Sequence, residues 1–491
     1  MNDATSVAAE DQYVTHAELA PEEGQPNALD NHRLHELILR LQSENRHLAA
    51  ITVRGWSITN PIELGLHGTR GLPLPRLSFV SCSNLKLSAR FARLNALSLN
   101  ACAIEQLDLT DAVIDGPLDL EHSTITGEHD TTLALTGIKA QSILITRLSR
   151  SDENFYLSID LGAARIERGL VIDAVRLKGP LMLDRTSLGA DATITGSRFE
   201  RRMGAAVSAR ALVTGGPLSF SSCQADGAVN LADARIGGDL SFDHVEIRST
   251  PSESVLLADT TVQGTVRVAN STCTGTIQLR MCAISGSVAV EHTTCNPLLG
   301  AAISILGGKI GAEITLVGLK LSAQLEVRSV GIGLNMVLDD VAITGDERFP
   351  INLLLNRIGG GLDIIKLRYA GYGTLRACSI GASLYLEEIT LNPRRIEDQR
   401  SLYDCNLLAT ENVVGGKLTL GTIASEGEDA RGLVDLRNTR CASFGFLGHA
   451  DSENIHINLN GLDYGKIDQL NLASAKFLRA MVDRNERRRY E

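Results

Sequence analysis

Aromatic residues make up only 4% of this 491-residue chain, and there is a single tryptophan. Irregular globular interiors are usually filled by such side chains, so their scarcity argues for thin, regular layers of smaller residues. Prolines number 12 against 45 glycines, which points to many tight turns rather than to disorder. No apolar run approaches the eighteen or so residues that a membrane span requires, so no spanning segment is expected. Residues 1–26 hold six acids and no Lys or Arg. They lack the basic start and apolar run of a secretory signal and read as a disordered acidic leader. The nine cysteines are odd in number and include no CxxC, which counts against a disulfide framework and a zinc site. A net charge of −11 counts against a broad basic surface for nucleic acid. There is no P-loop, no G-x-G-x-x-G, no HExxH and no G-x-S-x-G. The sequence therefore predicts no catalytic, cofactor-binding or metal site, leaves enzyme activity open while favouring a non-catalytic chain, and points to a reducing, cytoplasmic setting.

What is present is a repeat. From residue 254 the chain reads SVLLADTTVQG, TVRVANSTCTG, TIQLRMCAISG and SVAVEHTTCNP, with Gly264, Gly275 and Gly286 one eleven-residue unit apart. Apolar residues alternate over the first four positions of each unit, as in a half-buried strand, and the glycine closes a turn. Tetrads of units open at Ser158, Ala206, Ser254, Ala302 and Pro350. Each tetrad carries a four-residue insertion, in turn RMGA, TPSE, LLGA and DERF, and a longer one runs from Arg394 to Cys405. The expected fold is all-β: a right-handed parallel β-helix, or solenoid, of eleven-residue units with about 22 residues per coil. Each tetrad then spans two coils, and the insertions line up as a row of loops on one edge.

The register spans residues 50–465. Open solenoid ends template edge-to-edge pairing and need covers. Residues 27–49 read as an N-terminal capping helix, with Leu34, Leu37, Ile38 and Leu41 at helical spacing behind Asp30. Residues 466–491 read as a C-terminal cap, with Phe477, Leu478, Met481 and Val482 on one stripe ahead of the basic run Arg487–Arg489.

Eight of the nine cysteines fall on the small seventh position (Cys82, Cys102, Cys223, Cys282, Cys378) or the aliphatic ninth (Cys273, Cys295, Cys441), where they read as core residues. His122, His244 and His292 take the sixth position, each after an acid. An acid and a histidine could share a proton, but neighbours on a strand point to opposite faces, and exposed turn residues are the expectation. Two charge columns follow from the tetrad period. Asp243, Glu291, Asp339 and Glu387 hold the fifth position of one set of units, and Arg280, Arg328 and Arg376 hold it in another. These seven residues are the candidate interaction surface.

The segments LTDAVIDGPLDLEHSTITG at 109–127 and LADARIGGDLSF at 231–242 resemble the degenerate pentapeptide-repeat proteins of bacteria. The chain is also similar to long actinobacterial proteins described as membrane-associated oxidoreductases, which share LDLxxAxIxG units and a late segment like LNGLDYGKI at 459–467. The first resemblance implies an acidic nucleic-acid mimic that acts on an enzyme such as a topoisomerase. The second implies a β-helix enzyme working on a redox substrate, alongside the polysaccharide chemistry of other β-helix enzymes. The residues themselves favour a protein-binding scaffold that needs no cofactor and does not contact nucleic acid directly. Its ends could also join copies into homo-oligomers.

Overall fold

The computed structural model describes residues 16–21, 28–29, 34, 36 and 50–470, apart from 59, 65–73, 128, 153, 250–252, 346–347, 393–404, 426–431 and 448–454. It is an all-β parallel solenoid. Two compact units divide it, residues 1–182 with 186–189 and residues 183–185 with 190–491.

In the second unit, most eleven-residue repeats fold as two strands rather than one, while Ile314–Leu321, Met336–Ile343 and Leu362–Ala370 run through theirs unbroken. Thr276–Arg280 is a long strand, Met281 turns the chain, and Ala283–Ile284 is a short strand before the next corner. The sixth position of the four units from residue 254 has a left-handed backbone in every case: Asp259 (φ 53°), Asn270 (51°), Met281 (53°) and His292 (46°). Asn, Asp and His tolerate this conformation best among non-glycine residues. For others it costs on the order of 1–2 kcal/mol. The corner persists because its N–H groups still pair with the next coil, as from Asn270 to Glu291 and from His292 to Val317. The recurrence of histidine at position six is therefore a backbone preference.

Strand register fixes the coil. In this unit Val229 pairs with Val255, Val255 with Ile277, Ile277 with Ile303 and Ile303 with Leu325. Bonded partners alternate between 22 and 26 residues apart, so two coils make the 48-residue tetrad. The longer insertion stretches one step to 34. The first unit stacks the same way with less even spacing, Leu97 on Leu118, Leu118 on Ile143 and Ile143 on Leu170.

Inward positions two, four and nine are almost all fully buried aliphatics, such as Leu316, Leu338 and Ile364. Each contributes about 1.5–3 kcal/mol by leaving water. The small seventh position holds polar residues that satisfy backbone groups between coils. Asn356 donates to the Val327 carbonyl at 2.8 Å and accepts from the Val330 N–H at 3.1 Å. Cysteines at this position donate to carbonyls in the same way, as Cys282 does to Leu257 at 3.4 Å.

One corner is made of stacked glycines. A Cβ on Gly333 would stand 2.0 Å from the Gly311 oxygen, one on Gly359 2.1 Å from Gly333, and one on Gly381 2.1 Å from Gly359. Gly264, Gly275 and Gly286 likewise fall at bends between strands, as the repeat requires.

The N-terminal expectations need correction where residues are described. His16–Leu19, inside the stretch read as a disordered leader, is a strand that pairs with Ala50–Arg54, and Glu18 accepts from Arg54 at 2.8 Å. A strand edge next to an apolar first coil offers main-chain partners that an acidic composition does not cancel. Ala28–Leu29, at the start of the stretch read as a helix, is also a strand, paired with Ser57–Ile58. Leu34 and Glu36 are helical and Leu34 is fully buried, while the rest of that expected helix lies outside the described residues. The expected C-terminal helix at 474–489 also lies outside them, and strand Asp463–Leu470 continues past the predicted boundary at 465.

Candidate functional site

The fifth position precedes the left-handed corner and its side chain points outward; it ends the strand at Asp243, Glu291 and Glu387 but lies within one at Asp339. Register places the acids in one column with an apolar residue between each pair: Asp243, Ala269, Glu291, Val317, Asp339, Ile365, Glu387. The arginines form a second column, Arg280, Leu306, Arg328, Leu354, Arg376. Like charges are thereby held two coils, about 9–10 Å, apart, close to a Debye length.

Most of these charges are spent within the chain. Asp243 accepts from Asn270 Nδ2 at 3.0 Å and lies 3.0 Å from His244 Nδ1, and these contacts hold its carboxyl below the usual carboxylate range. Glu291 accepts from Arg267 at 2.7 Å. Glu387 accepts from the Tyr385 hydroxyl at 2.9 Å and the Thr422 N–H at 3.0 Å. Burial, and then the contact with Glu387, raise the Tyr385 phenol. Asp339 differs, because its Oδ1 is buried and has no hydrogen-bond partner among the described residues. On the basic side, Arg328 pairs with Glu326 at 3.1 Å and Arg376 with Glu411 at 2.9 Å. Exposed pairs of this kind contribute about 0–1 kcal/mol, so they tune the surface more than they hold the fold.

The contact between Asp243 and His244 departs from the opposite-face expectation. The left-handed turn at His244 swings its imidazole back over its own neighbour, which a continuous strand would forbid. His122 instead faces Arg147 at 2.9 Å. No group of three or more His, Cys, Asp or Glu that could hold a metal ion occurs among the described residues, and none of their helices is long and apolar enough to cross a membrane. The eight register cysteines are buried and none of them is in a disulfide. Burial pushes the Cys282 thiol up to about 11, and it raises Cys378 and Cys441 as well. Cys295 lies in register with Cys273, and that contact, together with full burial, pushes its thiol up.

Of the four-residue insertions, residues 202–205 correct the expectation of a loop: they lie inside the continuous strand Arg198–Ser208, where the register with Gln224–Asn230 shifts to absorb them. Residues 298–301 and 348–349 do turn the chain, at the same step of coils two apart. The first precedes strand Ile303–Leu306 and the second strand Ile351–Leu354, and both strands pair with Leu325–Arg328. Residues 250–252 and 346–347 lie outside the described residues. Leu298 and Leu299 are 70% and 71% exposed. Phe349, 43% exposed, lies 6.3 Å from the Tyr372 ring with the Arg348 guanidinium 5.4 Å from its centroid. The charge columns drew attention away from these side chains. The available signal was apolar residues inside short insertions that should be polar.

Comparison of the chain with family models, with curated proteins and with solved structures finds no match.

Proposed function

We propose that the chain is a non-catalytic scaffold that holds a protein partner on the loop corner of residues 190–491. The observation that carries this reading is the pair of turns, two coils apart on one edge, that present Leu298, Leu299 and Phe349 to solvent. Exposed apolar side chains grouped on one edge mark an interaction site more often than scattered ones do. Covering each contributes roughly 1.5–3 kcal/mol. Strands Thr294–Cys295 and Ile303–Leu306 flank residues 298–301, so less ordering cost falls due there on binding. Loops on a rigid frame are also where binding residues concentrate. A nucleic-acid mimic draws less support, since Asp243, Glu291 and Glu387 already accept hydrogen bonds from neighbours.

The test is retention of a partner from native lysate by the immobilised full chain and by its L298S/L299S/F349S variant. The wild type is expected to retain a partner that the variant loses, with little difference in melting between the two. Equal retention, or no partner on the wild type, refutes the assignment.

A further inference from the structure

In residues 190–491 the short strand after the left-handed corner forms a different face from the loop corner. An open groove of about 830 Å³ runs along it, floored by Gly331, Gly333, Gly359 and Gly381. Eighth-position residues cross the groove in register: Lys309, Gly331, Arg357, Ser379. Lys309 and Arg357 therefore stand two coils, about 9–10 Å, apart, with no side chain between them. The corner glycines are required by close backbone contact, but Gly331 is not. Its φ is not positive, and a Cβ there would meet nothing nearer than 3.9 Å. What glycine supplies at 331 is the opening itself.

The charge in the groove runs against the rest of the molecule. The chain carries −11 overall, yet no carboxylate lines the groove. Neither Lys309 nor Arg357 has an ion-pair partner among the described residues. The arginine column borders the same edge on the intervening coils, but Arg328 and Arg376 there are paired with Glu326 and Glu411, so Lys309 and Arg357 supply the unpaired charge. Two apolar side chains share this edge. Met281 and Leu355 occupy left-handed corners, at φ 53° and 57°, and are 59% and 54% exposed. A long apolar residue is disfavoured there on both counts. The left-handed backbone belongs to the coil, so what is particular to this edge is the choice of a long apolar side chain at it.

We propose that this groove binds an extended acidic peptide segment that also carries apolar side chains. Unpaired cations in a carboxylate-free groove select an anionic chain, and Met281 and Leu355 give a use for apolar groups that nucleic acids and acidic polysaccharides lack. The assignment rests on the reading of this protein as a protein-binding scaffold, but it uses a face separate from the loop corner.

The experiment is a fluorescence-anisotropy titration of the full chain with a labelled peptide of alternating glutamate and leucine, with heparin and single-stranded DNA as competitors. Saturable binding is expected, weakening as salt rises. K309E/R357E and G331L should each weaken it roughly tenfold or more, a change of about 1.4 kcal/mol per tenfold. M281S/L355N should weaken it too, and L298S/L299S/F349S should leave it unchanged. Circular dichroism of each variant should match the wild type. Absence of binding, or binding insensitive to K309E/R357E and to G331L, overturns the site. Tighter binding of heparin or DNA that M281S/L355N does not alter overturns the peptide assignment. Absence of peptide binding, alongside partner retention that only the loop variant loses, would leave the loop reading standing while this one fails, so the two are separable.

Discussion

Two glycines two residues apart should respond to the same substitution in opposite ways. In Gly333→Ala the new methyl carbon would lie 2.0 Å from the Gly311 carbonyl oxygen, a backbone atom that cannot rotate away. Overpacking of this kind costs about 1–3 kcal/mol. Relief requires the coils to part where Gly333 donates to Ile310 at 2.9 Å and Leu334 donates to Ala312 at 2.8 Å. Weakening those bonds adds about 0.5–1.5 kcal/mol each if they are lost. The expected destabilisation is about 2–6 kcal/mol if both bonds are lost. In Gly331→Ala the methyl meets open space and the backbone conformation is allowed, so the reduced entropy of the unfolded chain should stabilise by about 0.4–1 kcal/mol. Guanidinium unfolding followed by far-UV circular dichroism measures both, provided the slopes agree so that midpoints are comparable. If the two variants shifted in the same direction, or Gly333→Ala stayed within about half a kcal/mol of wild type, the stacked-corner account would be wrong.

Further outcomes follow from the same geometry. Leu338 is fully buried, so Leu338→Ala should lose about 2–5 kcal/mol in the same assay, and a loss below 1 kcal/mol would show that the core is not packed as described. Burial raises the Asp363 carboxyl, so its ionised form is penalised in the folded state and the penalty is complete above the folded pKa. Asp363→Asn should therefore raise the melting temperature at neutral pH, with the gain vanishing as pH falls through the carboxylate range; a gain that persisted in acid would contradict this. Leu355→Asn should stabilise the chain by up to about 1 kcal/mol by easing the left-handed corner, which thermal melting can check. Peptide mapping after brief alkylation should find the eight buried cysteines unmodified until denaturant is added, and native labelling of Cys282 would contradict its placement.

The coil was legible because its determinants are local and periodic. Alternation in SVAV and TVRV marks the long strands, and the insertions RMGA to DERF mark the two-coil period. Less visible was the split of most units into two strands. It depends on the left-handed backbone at residues such as Asn270 and His292, whose side chains hint at the corner, while Met281 in the same position hides it. The columns at Asp243 and Arg280 were placed correctly as columns, but their pairing with Asn270, Arg267 and Glu411 was not readable. Those contacts depend on which side chains reach across coils, and spacing along the chain does not carry that. Gly331 looks like any turn glycine in sequence, and only the open space around its Cα sets it apart. The strand at His16–Leu19 was concealed by acidic neighbours, since main-chain pairing with Ala50–Arg54 asks little of its side chains.

The most direct test of the stacked coil is an engineered disulfide. Ala289 and Thr315 are in-register neighbours on adjacent coils, and Thr315 is followed by Val337 on the next. Adjacent parallel strands lie about 4.8 Å apart, within the Cα separation that a disulfide spans, whereas two coils exceed it. Ala289→Cys/Thr315→Cys should oxidise to an intramolecular disulfide with the circular dichroism spectrum intact, and Ala289→Cys/Val337→Cys should not. Bridging of 289 to 337, or failure of 289 and 315 to bridge in folded protein, would contradict the 26- and 22-residue coils on which the account stands.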